Sequence, residues 1–370
     1  MEILHVETSS HSAAYDIWIG GGLISRLGPW LHEKLNPHSC AVITDSNVAP
    51  LQLPAVQAAV EAGGMRCRTL VIPPGETFKT LETLSGIWNF LLENRWERGL
   101  PIIALGGGVV GDMAGFAAAT VLRGVPLIQM PTTLLAAVDA SVGGKTGIDH
   151  PRGKNLLGAF HHASLVVADV GTLNTLPICE LECGLAECIK HSIIRDPDLY
   201  DWLDQNIEPI MARDPDTLTK LIHWNVGIKA DFVAKDPLEK SIRAFLNFGH
   251  TFGHALESTV GYGRLPHGRA VALGMLAATH LSIRLGICDP ELQAALEHLI
   301  RKAGLPVRVH GADPAAVLSA MYSDKKVASG KLRLVLPIRL GEVQTFCDAE
   351  DAAVLDAIGS ILQPAGVPAA

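Results

Sequence analysis

The feature that most constrains this chain is an alternation: the short apolar runs Ala41–Thr44, Arg68–Ile72, Pro101–Leu105, Pro126–Met130 and Leu165–Ala168 are separated by stretches with helical spacing. Strands joined by helices read as a parallel sheet with crossover connections. The first four runs end in turn chemistry, namely Asp45-Ser46-Asn47, Pro73-Pro74-Gly75, Gly106-Gly107-Gly108 and Pro131-Thr132-Thr133. Ligands of open parallel sheets gather at the carboxyl ends of the strands, so these loops are expected to line one crevice. The second half loses the pattern and reads as amphipathic helices, such as Pro290–Ala303, interrupted by one strand-like stretch at Leu332–Pro337. The expected organisation is an α/β N-terminal domain over residues 1–170 and a mainly α-helical C-terminal domain over residues 171–370. No internal repeat or low-complexity segment is present, and Gln363–Ala370 reads as a frayed tail.

Composition excludes several classes. With 48% hydrophobic and 18% charged residues the chain has the balance of a folded globular protein. A formal net charge of -8 argues against a general nucleic-acid surface. The N-terminus lacks the basic start and apolar stretch of a secretory signal, and Asp112, Arg123 and several glycines and prolines break the apolar segment Pro101–Met130, so no membrane span is expected. These features point to a cytoplasmic location. Seven cysteines, an odd number, suit free thiols in a reducing compartment, and the cluster Cys179, Cys183 and Cys188 reads as helix packing.

Three constellations carry chemistry. The first is Gly106-Gly107-Gly108-Val109-Val110-Gly111-Asp112, which follows a buried strand and opens a helical run at Met113–Val121. Glycines there let the backbone approach a pyrophosphate, and a helix N-terminus supplies unpaired N–H groups. In isolation a ligand-free strand-to-helix turn would read the same. Pro74-Gly75-Glu76-Thr77-Phe78-Lys79 and Thr132-Thr133 add polar groups on the same expected rim, which favours a dinucleotide.

The second constellation is Asn247-Phe248-Gly249-His250-Thr251-Phe252-Gly253-His254, where i, i+4 spacing puts His250 and His254 on one helical face. His267 follows in Leu265-Pro266-His267-Gly268, and Glu187 lies in the helical run Gly184–Ile194. Imidazoles with one carboxylate are a normal set for catalytic zinc. The spacing alone leaves packing histidines open. The third is a group of cations and amides: Lys145 and Lys154-Asn155 in glycine-rich loops, Lys190 three residues after Glu187, then Lys229, Arg243, Asn247 and Lys325-Lys326. In a net-acidic chain these suggest a small substrate with more than one negative group.

Taken together, Gly106–Asp112, Pro131–Thr133, Val138-Asp139-Ala140-Ser141-Val142-Gly143-Gly144-Lys145, Gly153-Lys154-Asn155, Asn247–His254 and Asp324-Lys325-Lys326 resemble the 3-dehydroquinate synthase family of sugar-phosphate cyclases, in order and spacing, from about Asp45 to Pro337. The resemblance implies an enzyme that uses NAD catalytically, together with a divalent metal, zinc or cobalt, to turn 3-deoxy-arabino-heptulosonate 7-phosphate into 3-dehydroquinate and phosphate. Another sugar-phosphate cyclase, or a metal-dependent polyol or glycerol-phosphate dehydrogenase, is the competing reading; Lys229 and Arg243, suited to a substrate carboxylate, favour dehydroquinate.

By the same resemblance Glu187, His250 and His267 are metal ligands, which leaves His254 for substrate. The dinucleotide falls to Asp45, Pro74–Lys79, Gly108, Val109, Val110, Gly111, Asp112, Thr132, Thr133, Lys145, Lys154 and the segment Thr172-Leu173-Asn174-Thr175. Asn155, Lys190, Asn247 and His254 fall to the substrate's phosphate end, Lys229 and Arg243 to its carboxylate, Asp139 and Lys145 to its reacting hydroxyls. Arg123 is expected to reach the phosphate end of the neighbouring subunit's site in a homodimer. One departure stands out: the family usually reads His-Gly-Glu where this chain has His267-Gly268-Arg269. A carboxylate often orients a metal-bound imidazole, so metal affinity is the property this change is expected to touch.

Overall fold

The alternating runs form the sheet they predict, within a computed structural model that describes residues 1–6, 14–261, 264–323, 327–328 (as backbone) and 331–363. The strands are β1 (Glu2–Val6), β2 (Tyr15–Gly20), β3 (Ser39–Asp45), β4 (Arg66–Ile72), β5 (Ile102–Gly106), β6 (Leu127–Pro131), β7 (Lys145–His150), β8 (Gly153–Phe160) and β9 (Leu165–Asp169). Seven of them make one sheet in the order β1-β2-β9-β6-β5-β3-β4. All neighbours run parallel except β1 and β2. Every residue of β5, β6 and β9 is buried. That is why these runs read as continuous apolar stretches and not as alternating ones.

The helices Ala49–Ala62, Leu81–Glu93 and Gly108–Thr120 make the crossovers from β3 to β6. One core groups Trp18, Leu27, Leu31, Val42, Val56, Val60, Ile103 and Ile128. The antiparallel strand β1 has no counterpart in the sequence reading. Nor do β7 and β8, which pair as an antiparallel ribbon. Lys145, Lys154 and Asn155 therefore sit on strands, and the expectation that they lie in irregular glycine loops is corrected.

The chain divides into two compact units, Met1–Leu181 with Ala212–Pro237, and Glu182–Met211 with the residues from Leu238 on. In the first unit the helix Pro215–Lys235 packs on β1, β2 and the turn Ala136–Ala140. In the second, His267–Arg284 is the central helix, buried over most of its length. It packs against His250–Val260, Pro290–Lys302, Asp351–Ser360 and the strand Leu334–Arg339, which pairs with Glu342–Phe346. The approach to His250–Val260 is very close: a Cβ at Gly274 would lie 2.0 Å from the carbonyl oxygen of Gly249. Only glycine fits there, so the turn carrying His250 is set directly on the backbone of the central helix.

The motif Asp324-Lys325-Lys326 and the tail beyond Gln363 lie outside the described residues. Among the described residues no helix is long and apolar enough to cross a membrane.

Candidate functional site: a nucleotide rim and a metal centre

In the first unit the glycine loop follows β5 and opens a helix. Gly107 is the N-cap of Gly108–Thr120, with extended backbone and no side-chain cap. Gly108, Val109, Val110, Gly111 and Asp112 make up the opening turn, whose first N–H groups have no partner within the helix. Thr132 and Thr133 follow β6 beside this turn: the Thr132 N–H donates to the Gly106 carbonyl at 2.9 Å, and Thr133 Oγ1 accepts from Ala136 N at 3.1 Å. Asp45 ends β3 and accepts from the N–H groups of Asn47 and Val48 through one oxygen. Thr172–Thr175 lie in the short helix Val170–Thr175, where Thr172 is buried and Thr175 Oγ1 accepts from Gln52 at 3.0 Å.

Pro74–Lys79 hold the short helix Glu76–Phe78 and then turn Lys79 inward. Its amine donates to Asp112 Oδ2 at 2.6 Å and to Asn155 Oδ1, with only 3% of the residue exposed. Burial opposes the charge on Lys79, but Asp112 and Glu76 outweigh it and hold the amine above the usual lysine range. For Asp112 burial wins over the pull of Lys79, and its carboxyl is raised. Asn155 has a φ of 53°, and its N–H donates to Asp149 at 2.8 Å. Lys154 lies 3.7 Å from Glu76, and Lys145 is exposed at the start of β7.

Thus two groups that the sequence reading assigned to different ligands, Lys79 and Asn155, meet directly. So do Lys229 and Asp139: the Lys229 amine lies 2.8 Å from Asp139 Oδ1 and also donates to the Asp139 carbonyl. Arg123 is exposed in a turn where Leu122, Arg123 and Gly124 all have positive φ, at 50°, 64° and 116°.

In the second unit Glu187, His250 and His267 each offer a ligand atom within 4.8 Å of the others. Glu187 Oε1 lies 3.5 Å from His250 Nε2 and 3.6 Å from His267 Nε2. The other nitrogen of each ring is already occupied. His250 Nδ1 donates to the Phe248 carbonyl at 3.1 Å, and His267 Nδ1 donates to Glu257 Oε1 at 3.2 Å. Lys190, as buried as Glu187, donates to Glu187 Oε2. Glu187 Oε1 is left buried with no hydrogen bond. A buried carboxylate oxygen without a partner is costly, and two imidazole nitrogens face it. That is the donor set a divalent cation satisfies.

The charges agree. Burial works against an ionised Glu187, yet Lys190, His250 and His267 hold its carboxyl well below the usual range. Burial keeps His250 neutral despite Glu187. Burial also opposes a charge on His267, but Glu187 and Glu257 raise it to about 10.

His254, Glu257 and His267 form an overlapping cluster of donors. Glu257, however, is engaged with the far nitrogen of His267, and the His254 ring stands edge-on to His250 with centroids 5.5 Å apart. Lys190 reaches the neighbouring cluster through Glu187, and Asn247 donates to Glu239 at 2.8 Å. Arg243 is 2% exposed in the short helix Ile242–Asn247.

Sequence reasoning missed Glu257, Glu239 and Asp149. Glu257 had a signal, since it lies seven residues after His250 on one helical face. The other two gave none. Glu257 orients the His267 ring from the helix His250–Val260.

Comparison with known proteins bears on both units. The model of the 3-dehydroquinate synthase N-terminal domain matches residues 69–183, and that of the C-terminal domain matches residues 184–327. The 3-dehydroquinate synthase of Nitrosomonas europaea is 46% identical over 341 residues, 91% of either chain. That of Nitrosospira multiformis is 45% identical over 97% of this chain and 98% of its own. Among solved structures, 2-epi-5-epi-valiolone synthase from Streptomyces hygroscopicus, with NAD+ and Zn2+ bound, superposes with a TM-score of 0.87 at 26% identity, covering 96% of this chain and 98% of its own. A glycerol dehydrogenase from Schizosaccharomyces pombe shares the fold at a TM-score of 0.66 and 16% identity over 96% of this chain and 91% of its own. Since family models span both units and relatives at nearly half identity run almost end to end, this chain belongs to the 3-dehydroquinate synthase family.

Proposed function

We propose that the chain is an NAD- and divalent-metal-dependent 3-dehydroquinate synthase, converting 3-deoxy-arabino-heptulosonate 7-phosphate to 3-dehydroquinate and phosphate. The observation that carries the metal-dependent reading is Glu187 Oε1, buried without a hydrogen bond and faced by Nε2 of both His250 and His267. These three residues would hold the cation, zinc or cobalt. Bound NAD would supply reversible oxidation of a substrate hydroxyl, and the cation Lewis acidity.

The protein's own groups bind and orient. Gly108–Asp112 present helix N–H groups to a pyrophosphate, with Asp45, Pro74–Lys79, Thr132, Thr133, Lys145, Lys154 and Thr172–Thr175 as further dinucleotide contacts. Lys79 braces that turn from beneath through Asp112. The pair Lys229 and Asp139 offers a fixed cation and carboxylate, suited to a substrate carboxylate and to a reacting hydroxyl. In the second unit the buried Arg243 is suited to the carboxylate, and Lys190, Asn247 and His254 to the phosphate. Such fixed charges hold a flexible, doubly anionic molecule in a reactive conformation. We further propose a cytoplasmic homodimer in which the exposed, strained Arg123 completes the partner's phosphate site; non-glycine residues at positive φ concentrate at functional positions.

Purified protein incubated with the heptulosonate phosphate, NAD and zinc tests the reading. Phosphate should appear without matching NADH, because the hydride returns to the molecule that gave it. NADH accumulating in step with turnover would assign a dehydrogenase instead.

A further inference from the structure

The arginine that departs from the family pattern has a definite partner. Arg269 Nη2 lies 3.0 Å from Glu182 Oε2. Glu182 belongs to the helix Ile178–Arg195, which carries Glu187, while Arg269 sits in the first turn of His267–Arg284, which opens with His267. The ion pair therefore joins the two helices that bear two of the three cation-facing groups. Their backbones also touch beside it: a Cβ at Gly268 would lie 2.4 Å from both Cα and the carbonyl oxygen of Cys183. Gly268 lies between His267 and Arg269, and Cys183 follows Glu182, so ion pair and backbone contact are adjacent.

A cation in the first turn of a helix faces the positive end of the macrodipole and is unfavourable there. Glu182 offsets that charge. We propose that Arg269 and Glu182 form a positioning pair, which locks His267 within reach of Glu187 and shields the bound divalent cation from the arginine. The proposal rests on the metal-centre reading above. The pair is partly exposed, with 38% of the Arg269 side chain accessible, and ion pairs of that kind contribute little to global stability. Its loss should show in metal affinity before it shows in unfolding.

The test is zinc affinity of the metal-stripped full chain, measured by competition with a chromogenic chelator, alongside the thermal midpoint of each metal-free variant. Glu182→Gln, Glu182→Arg and Arg269→Glu should each weaken zinc binding, by roughly ten- to hundred-fold for a group that orients a ligand. Glu182→Arg should be the worst, since it sets two cations together. The double reversal Glu182→Arg with Arg269→Glu should bring affinity back towards wild type. Single variants that bind zinc as the wild type does, or a double reversal as weak as its two parts combined, would overturn the proposal. If Glu182→Arg does not fold, Glu182→Gln carries the same comparison. A wild-type chain that binds no zinc would remove the metal-centre reading and the proposal with it, an outcome distinct from unaffected variants of a zinc-binding protein.

Discussion

Glu257 and Glu187 address opposite nitrogens of one ring: Glu257 Oε1 is 3.2 Å from His267 Nδ1, and Glu187 Oε1 is 3.6 Å from His267 Nε2. The first contact fixes the tautomer and the angle at which the second nitrogen is presented. Replacing Glu257 with Ala should therefore lower zinc affinity by roughly ten- to hundred-fold. Glu257→Gln, which retains an acceptor oxygen, should lose less. Isothermal titration of the metal-free chain reads this, and equal affinity for all three proteins would deny Glu257 that role.

His254 and His267 are both near His250 but differ in their partners. His254→Ala is expected to keep bound zinc and lose turnover, whereas His267→Ala loses zinc first. Metal content by mass spectrometry, set beside phosphate release, separates the two. The reverse order would move the cation onto the cluster of His254, Glu257 and His267.

Gly274 has no room for even a methyl group, with the Gly249 carbonyl 2.0 Å from where a Cβ would stand. Overpacking of this kind costs roughly 1–3 kcal/mol. Gly274→Ala should lower stability by about that much in urea unfolding. It should also weaken zinc binding, because the displaced carbonyl directly precedes His250. An unchanged unfolding midpoint would show that the two helices can part without cost.

Arg123 offers a test across subunits. Arg123→Ala and His254→Ala chains should each be inactive alone, yet a mixed dimer would gather both defects in one site and leave the other intact. Random exchange makes about half the dimers mixed, so roughly a quarter of wild-type activity should return. No recovery despite demonstrated exchange would place Arg123 in its own subunit's site.

The parallel strands β3, β5, β6 and β9 were legible because burial on both faces leaves an uninterrupted apolar run, as in Ile102–Gly106, whereas β2, parallel to β9, was not read. Lys145–His150 and Gly153–Phe160 were not, because they pair only with each other and their glycines mimic loop composition. At the site, the i, i+4 spacing of His250 and His254 makes a single helix legible, whereas Glu187 Oε1, 3.5 Å from His250 Nε2 and 3.6 Å from His267 Nε2, brings three helices together. The third imidazole and the carboxylate come from other helices, and local spacing carries no record of that. Arg269 stands out in the sequence by its departure from the family pattern, but its partner Glu182, 3.0 Å away, reads as an ordinary surface charge.

The segment Ala212–Pro237 has an effect on how the molecule must be made. It leaves the first unit's stretch of sequence, yet its helix Pro215–Lys235 covers β1 and β2 and delivers Lys229 to Asp139. A ribosome releasing this chain in order would expose the N-terminal strands long before their cover emerges. A fragment ending at Leu181 would keep its glycine turn but lack both that cover and the lysine. The first unit thus has to wait for synthesis to pass Pro237, and no single cut in the chain yields two complete halves.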